Sequence, residues 1–158
     1  MRNLLTLHTL TSTLTKLRRA KKKVVFTNGV FDIVHRGHVE YLRKAKAYGD
    51  VLIVGMNSDS SVFRLKGPSR PIQIQMDRAA ILLNMRPVDY VFIFGDDTPE
   101  KLIHQVRPDV LVKGADYNEE QIVGADFVKS YGGKVRRIRL TPGRSTSEIL
   151  KKLKQVKS

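Results

Sequence analysis

Cysteine is absent from this 158-residue chain. Disulfides and thiolate metal sites are therefore excluded, and the cytoplasm is the default compartment. No apolar run approaches the roughly 20 residues that cross a bilayer. Acids are missing from the opening stretch MRNLLTLHTLTSTLTKLRRAKKK, a composition that fits a transit peptide. That stretch also lacks a continuous apolar core and a small-residue cleavage site, which argues against a secretory signal. Residues 4–20 read instead as an amphipathic helix, so 1–23 are expected to form a helical lead-in and 24–158 a single domain. Aromatics are few, 7%, and none interleave with the basic clusters. Zinc-finger and RNP-like patterns are absent, as are internal repeats and low-complexity tracts. No group of carboxylates suggests a protein-built metal cage, and no protein-held metal is expected.

Positive charge, by contrast, is abundant: +14 net, with a pI of about 10.2. Such a balance raises a nucleic-acid hypothesis. The basic residues are scattered, however, at 18–23, at 134–139 and among the C-terminal lysines. A basic surface also concentrates small anions, so neither a nucleic-acid nor a membrane partner is expected. Apolar β-rich runs at 24–27, 51–56, 90–94, 110–112 and 134–139 alternate with helical patterns. The helical patterns lie at 37–48, 75–85, 99–106, about 119–131 and about 145–155. This alternation predicts an α/β fold, Rossmann-like and doubly wound, with a parallel five-stranded sheet and helices on both faces. Ligands of such sheets bind outside the carboxyl ends of the strands. Residues 57–74 read as a long functional loop.

The most informative segment is Phe26-Thr27-Asn28-Gly29-Val30-Phe31-Asp32-Ile33-Val34-His35-Arg36-Gly37-His38. A strand ends in a glycine-containing turn, and two histidines bracket a second glycine where a helix starts. Unpaired amides and the positive end of the helix dipole attract phosphate there. Two imidazoles can donate hydrogen bonds as charge builds on phosphoryl oxygens. Asp32 reads as a turn-former or a metal ligand.

The segment resembles the HxGH motif of the cytidylyltransferase-like nucleotidylyltransferase superfamily, and the resemblance extends from Val24 to about Lys154. Those enzymes join a nucleoside triphosphate to a phosphate-bearing acceptor and release pyrophosphate. The resemblance implies catalytic roles for His35, His38 and Lys66. It implies phosphate or nucleotide binding by Thr27, Asn28, Gly29, Phe31 and Gly37. The stretch Thr141-Pro142-Gly143-Arg144-Ser145-Thr146-Ser147 looks like the superfamily's C-terminal phosphate-binding helix start. Ser145, Thr146 and Ser147 are the expected ligands, although Ser145 and Glu148 also have capping-box spacing. The role of Arg144 stays open. Lys66 and Arg70 can neutralise a triphosphate, and Arg78 can reach phosphates or pair with a neighbouring acid. Lys113 and Gly114 end a strand where a base or ribose could approach. Asp116 could accept from that nucleotide or form a turn.

In finer detail the strings FTNGVFDIVHRGHVEYL, VGMNSDSSVFRLKGPSRPI, VDYVFIFGDDTPEKLI and RPDVLVKGADYNEEQIVG resemble the D-glycero-β-D-manno-heptose 1-phosphate adenylyltransferases. Gln73-Ile74 departs from the Asn-Pro often found there. The resemblance implies ATP and a sugar 1-phosphate as substrates, magnesium carried on ATP, a homo-oligomer, and ADP-heptose for the lipopolysaccharide inner core. The chain is too short to hold the sugar kinase fused to many of these enzymes, so a stand-alone form is expected. The alternatives are a cytidylyltransferase or FAD synthase of the same superfamily, or a non-catalytic nucleotide- or RNA-binding module.

Overall fold

Val24-Val25-Phe26 and Val51-Leu52-Ile53-Val54 are apolar at successive positions, as strands covered on both faces must be. In the computed structural model, which describes residues 3–115, 121–139 and 146–156, both lie inside one sheet. The described elements run β1 Leu4–Leu5, α1 Leu7–Arg19, β2 Val24–Gly29, α2 Arg36–Lys46, β3 Val51–Asn57, α3 Asp59–Lys66, α4 Gln75–Leu83, β4 Tyr90–Phe94, α5 Glu100–Val106, β5 Val110–Gly114, α6 Ala125–Ser130, β6 Lys134–Ile138 and α7 Thr146–Val156.

The sheet order is β1-β4-β3-β2-β5-β6, and every described pairing is parallel. The α/β, Rossmann-like expectation holds, but the sheet has six strands and not five. The extra strand is Leu4–Leu5, which pairs with Val91 and Phe92 on the outer edge of β4. Two residues are too few to show strand periodicity, and they merge in sequence with the helical pattern that follows. Thr6 separates the two. Its side chain accepts from the Thr9 amide while Thr9 Oγ1 accepts from the Thr6 amide, a reciprocal cap that starts α1. The N-terminal segment thus adds a strand to the sheet and Leu10 and Leu14 to the core.

Alternation along the strands sends side chains to two apolar layers. Phe26, Ile53, Phe92 and Leu111 pack against α1, α5 and α6 on one face. Val25, Leu52, Val54 and Val112 pack against α2 and α4 on the other. The chain winds from β2 through β3 to β4, then returns to the other side of β2 for β5 and β6. The winding reverses between β2 and β5, so the carboxyl ends of these two strands flank the switch-point crevice.

The expected long loop at 57–74 is in part helical. Ser58 caps α3, accepting from the Ser61 amide at 3.2 Å. Phe63 and Leu65 on this helix are exposed, so no apolar face marked it in the sequence. Only 67–74 remain irregular between α3 and α4.

Candidate active site

A cavity of about 650 Å³ opens over the carboxyl ends of β2, β3 and β5. Its floor is the loop between β2 and α2. Phe31 and Ile33 hold positive φ angles of 53° and 51°. For an isoleucine this is a strained backbone, costing on the order of 1–3 kcal/mol. The residue between them holds the turn in place. The Asp32 carboxylate is fully buried and accepts from Arg70 Nε at 2.7 Å, the Ile72 amide at 2.8 Å and the Gln73 amide at 3.0 Å. The Ile33 amide donates to Gln73 Oε1 at 3.1 Å. These bonds hold the Asp32 carboxyl below the usual aspartate value, although burial by itself pushes it upward.

His35 is the N-cap of α2, an unusual residue for that position. Its Nδ1 accepts from the Gly37 amide at 3.1 Å, and His38 Nδ1 accepts from the His35 amide at 3.4 Å. The helix start therefore assigns the tautomers: with Nδ1 accepting, each neutral ring carries its proton on Nε2. The rings stack at 3.9 Å between centroids with a 25° tilt, and Phe31 lies 5.4 Å from His38. Burial lowers the pKa of His35, and burial plus the nearby His35 charge lowers that of His38 to about 4. Both imidazoles are neutral near pH 7, each with Nε2 as its donor.

Other residues expected to bind phosphate reach the same cavity from separate elements. Lys66 ends α3 and is exposed on the wall. Arg70 also lines the wall, its Nε held by Asp32. Thr146 opens α7, lines the cavity, and donates through Oγ1 to the Asp32 carbonyl at 2.6 Å. Asp32 thus binds the histidine loop, the arginine loop and the last helix into one unit. Asn28, Gly29, Phe31, Gly37, Lys113 and Gly114 line the cavity as well. Asn28 Oδ1 is buried with no hydrogen-bond partner in the protein, an acceptor in need of a donor.

Two expected ligands lie elsewhere. Thr27 is fully buried beneath the floor, its hydroxyl 2.7 Å from Tyr41 Oη, which in turn donates to the Val112 carbonyl. It ties β2, α2 and β5 together and does not face the cavity. Arg78 is likewise fully buried. Its guanidinium donates to the carbonyls of Gln73, Val30 and Asn57 and pairs with Asp59 at 2.6 Å. Of the two roles open to it, it takes the pairing with an acid, and burial keeps it from phosphate. Asp116 and Ser145 lie outside the described residues, as does the side chain of Ser147. Among the described residues no group of three or more His, Cys, Asp or Glu is placed to hold a metal. Asp32 in particular is committed to Arg70 and to two amides.

Several cavity residues escaped the sequence reading: Asn57, Tyr41, Asp97–Pro99 and Gln121–Val123. The available signal was positional. Asn57 ends β3, and Asp97–Pro99 follow the carboxyl end of β4.

A paired-histidine helix start over a switch-point crevice is the arrangement that the HxGH pattern anticipated. The cytidylyltransferase-like family model matches residues 26–152, which include all of it up to Thr146. The chain belongs to the cytidylyltransferase-like family. It is accordingly a nucleotidyltransferase. Among similar proteins, the bifunctional protein HldE of Campylobacter curvus is 57% identical over 137 residues, covering 87% of this chain and 28% of the relative. That of Pseudomonas paraeruginosa is 57% identical over 134 residues, covering 85% and 28%. The chain thus spans under a third of the length of these relatives. Among solved structures, the lipopolysaccharide core biosynthesis protein from Thermoplasma volcanium is 29% identical, with a TM-score of 0.60 over 76% of this chain and 97% of its own. Pantoate-beta-alanine ligase from Francisella tularensis matches with a TM-score of 0.57 at 17% identity, covering 89% of this chain and 70% of its own, and shares the fold alone. No helix among the described residues of this nucleotidyltransferase is long and apolar enough to cross a membrane.

Proposed function

We propose that the chain transfers AMP from ATP to D-glycero-β-D-manno-heptose 1-phosphate, giving ADP-heptose and pyrophosphate for the lipopolysaccharide inner core in the cytoplasm. The observation that carries the reaction class is the stacked histidine pair with both Nδ1 atoms engaged by amides. The choice of ATP and heptose 1-phosphate rests on the extended resemblance and on relatives that share more than half their residues with it across this region.

An oxygen of the sugar 1-phosphate attacks the α-phosphorus in line. The bond from that phosphorus to the bridging oxygen breaks, and its electron pair leaves with pyrophosphate. His35 and His38 donate from Nε2 to oxygens whose charge grows in the transition state. Lys66 and Arg70 offset the charge of the triphosphate, and Thr146 with the first amides of α7 holds its far end. Magnesium arrives with ATP as part of the substrate, since the donor set suits phosphates better than a protein-held cation. No nucleophilic serine or cysteine stands beside a base in the described site, which favours direct transfer over an adenylyl-enzyme. The excess positive charge serves these anionic substrates, and kcat/KM should fall as salt screens it.

Pyrophosphate release measured with ATP, CTP and a panel of phosphorylated acceptors tests the reading, with the sugar nucleotide identified by mass. Release with ATP and heptose 1-phosphate is expected. Faster turnover with CTP across several acceptors would move the chain to the cytidylyltransferases. Sub-micromolar selective binding of RNA or DNA at physiological salt, without turnover, would favour a binding module.

A further inference from the structure

The cavity wall contains a carboxylate that the chemistry at phosphorus does not need. Asp97 lies just beyond β4, is largely exposed, and lines the same cavity as the histidines, next to Thr98. A negative charge there opposes the binding of polyphosphates. Its surroundings nonetheless hold it in place. Arg64 Nε pairs with Asp97 Oδ1 at 2.7 Å and its Nη2 donates to the Gly95 carbonyl at 2.6 Å. Ser61 Oγ donates to the Asp96 carbonyl at 3.0 Å, and the Ser58 amide donates to the Phe94 carbonyl at 2.8 Å. Helix α3 thus clamps the loop after β4 and partly neutralises the carboxylate, while Asp97 Oδ2 takes no part in that pair.

Sheet order gives this carboxylate a meaning. Along the carboxyl edge the strands run β4, β3, β2, β5. Lys113 and Gly114 stand at β5, the histidine loop at β2, and Asp97 and Thr98 beyond β4. With the base and ribose against Lys113 and Gly114, as the resemblance implies, nucleotidyl transfer at β2 sends the acceptor toward β4. Two strand spacings separate β2 from β4, about 10 Å. That is the reach of a sugar held by a phosphate on its first carbon. A carboxylate oxygen and a hydroxyl are the groups that recognise sugar hydroxyls.

We propose that Asp97 and Thr98 determine acceptor specificity, hydrogen-bonding the hydroxyls at the end of the acceptor remote from its phosphate. This rests on the proposed reading of the site as one that takes a sugar 1-phosphate. Asp97 accepts from a sugar hydroxyl, and Thr98 either donates or accepts.

Initial rates of pyrophosphate release are measured for the wild type, Asp97→Asn and Thr98→Val, varying heptose 1-phosphate or mannose 1-phosphate at saturating ATP, and then varying ATP. Asp97→Asn keeps an oxygen for Arg64 but replaces the other with a donor. The acceptor KM should rise on the order of 10- to 100-fold, the scale of a charge-assisted hydrogen bond. The KM for ATP should stay within about 2-fold, and preference for the heptose over mannose 1-phosphate should shrink. Thr98→Val should show the same pattern more weakly, on the order of 3- to 10-fold for a neutral hydrogen bond. Loss of the exposed Arg64 pair alone accounts for at most about 5-fold. An unchanged acceptor KM in both variants, or an equal rise in the KM for ATP, overturns the proposal. If the wild type rejects heptose 1-phosphate but turns over another phosphorylated polyol, the proposed acceptor falls, and the same comparison on that polyol decides the roles of Asp97 and Thr98. If it turns over no hydroxyl-bearing acceptor, both fall.

Discussion

Replacing Asp32 with alanine should damage stability and nucleotide binding together, because one carboxylate holds both. The substitution leaves the Arg70 guanidinium, only 16% exposed, without its partner. It also strands the Ile72 and Gln73 amides. Breaking a buried ion pair from one side costs about 3–5 kcal/mol. Each amide left without a partner adds about 1–3 kcal/mol if it stays dry. Water can enter the opened cavity and satisfy part of this, so a net loss of about 3 kcal/mol is the expectation. For a domain of this length that lowers Tm by roughly 6–12 °C. Differential scanning calorimetry at pH 7, with and without ATP, measures it. The KM for ATP should rise more than tenfold, because Arg70 loses its anchor and the turn whose Asp32 carbonyl receives Thr146 loses the carboxylate bonds that hold it in place. The pH dependence follows the direction of the shift. The folded carboxyl titrates below its unfolded value, so its contribution is complete above the ordinary aspartate range and disappears as pH falls through the lowered folded value. A variant whose Tm lies within about 2 °C of wild type would refute the assignment of the Asp32 carboxylate as the tie between the histidine loop and the arginine loop.

Replacing His35 or His38 with alanine should lower kcat by on the order of 10²-fold, with a much smaller change in ATP affinity by calorimetry; near-normal kcat in both would end the catalytic assignment. Because both imidazoles titrate below the usual histidine value, kcat/KM should show no acidic limb near pH 6.5. Stability should instead decline as pH falls from about 6.5 toward 4, since unfolded His38 takes up its proton before folded His38 does; urea midpoints at several pH values check the sign. Arg78→Ala should destabilise by about 3 kcal/mol or more, read as a fall in the urea midpoint, because it strips a buried guanidinium from three carbonyls and Asp59. Salt-dependent loss of ATP affinity in a fully stable Arg78→Ala protein would restore it as a phosphate ligand.

Many of the residues that line the candidate cavity were readable because their signals are local. The histidine loop combines a strand end, a turn and a helix start within Phe26 to His38, and each leaves a mark at short spacing. The alternation of apolar runs gave the parallel sheet for the same reason. Thr27 and Arg78 show where such reading fails. Both sit in or beside segments expected to bind phosphate, yet whether a side chain faces the cavity or the core depends on strands and helices far away in sequence. Helix α3 went unread because its Phe63 and Leu65 are exposed, so burial had left no periodic trace.

The sequence by itself determined the reaction class through its resemblance to the HxGH family, carried by residues placed a few positions apart at a strand-to-helix junction. It also determined the two-layered α/β core, through apolar periodicity. Tertiary structure decided what no spacing encodes. It added Leu4–Leu5 as the sixth strand, since pairing with β4 needs a partner 87 residues away. It gave Asp32 to Arg70, Ile72 and Gln73, turning an apparent turn residue into the anchor of the cavity. It buried Arg78 and brought Asp97 to the far wall. These outcomes depend on contacts between segments tens of residues apart, and such contacts exist only once the sheet order has brought the strand ends to one edge.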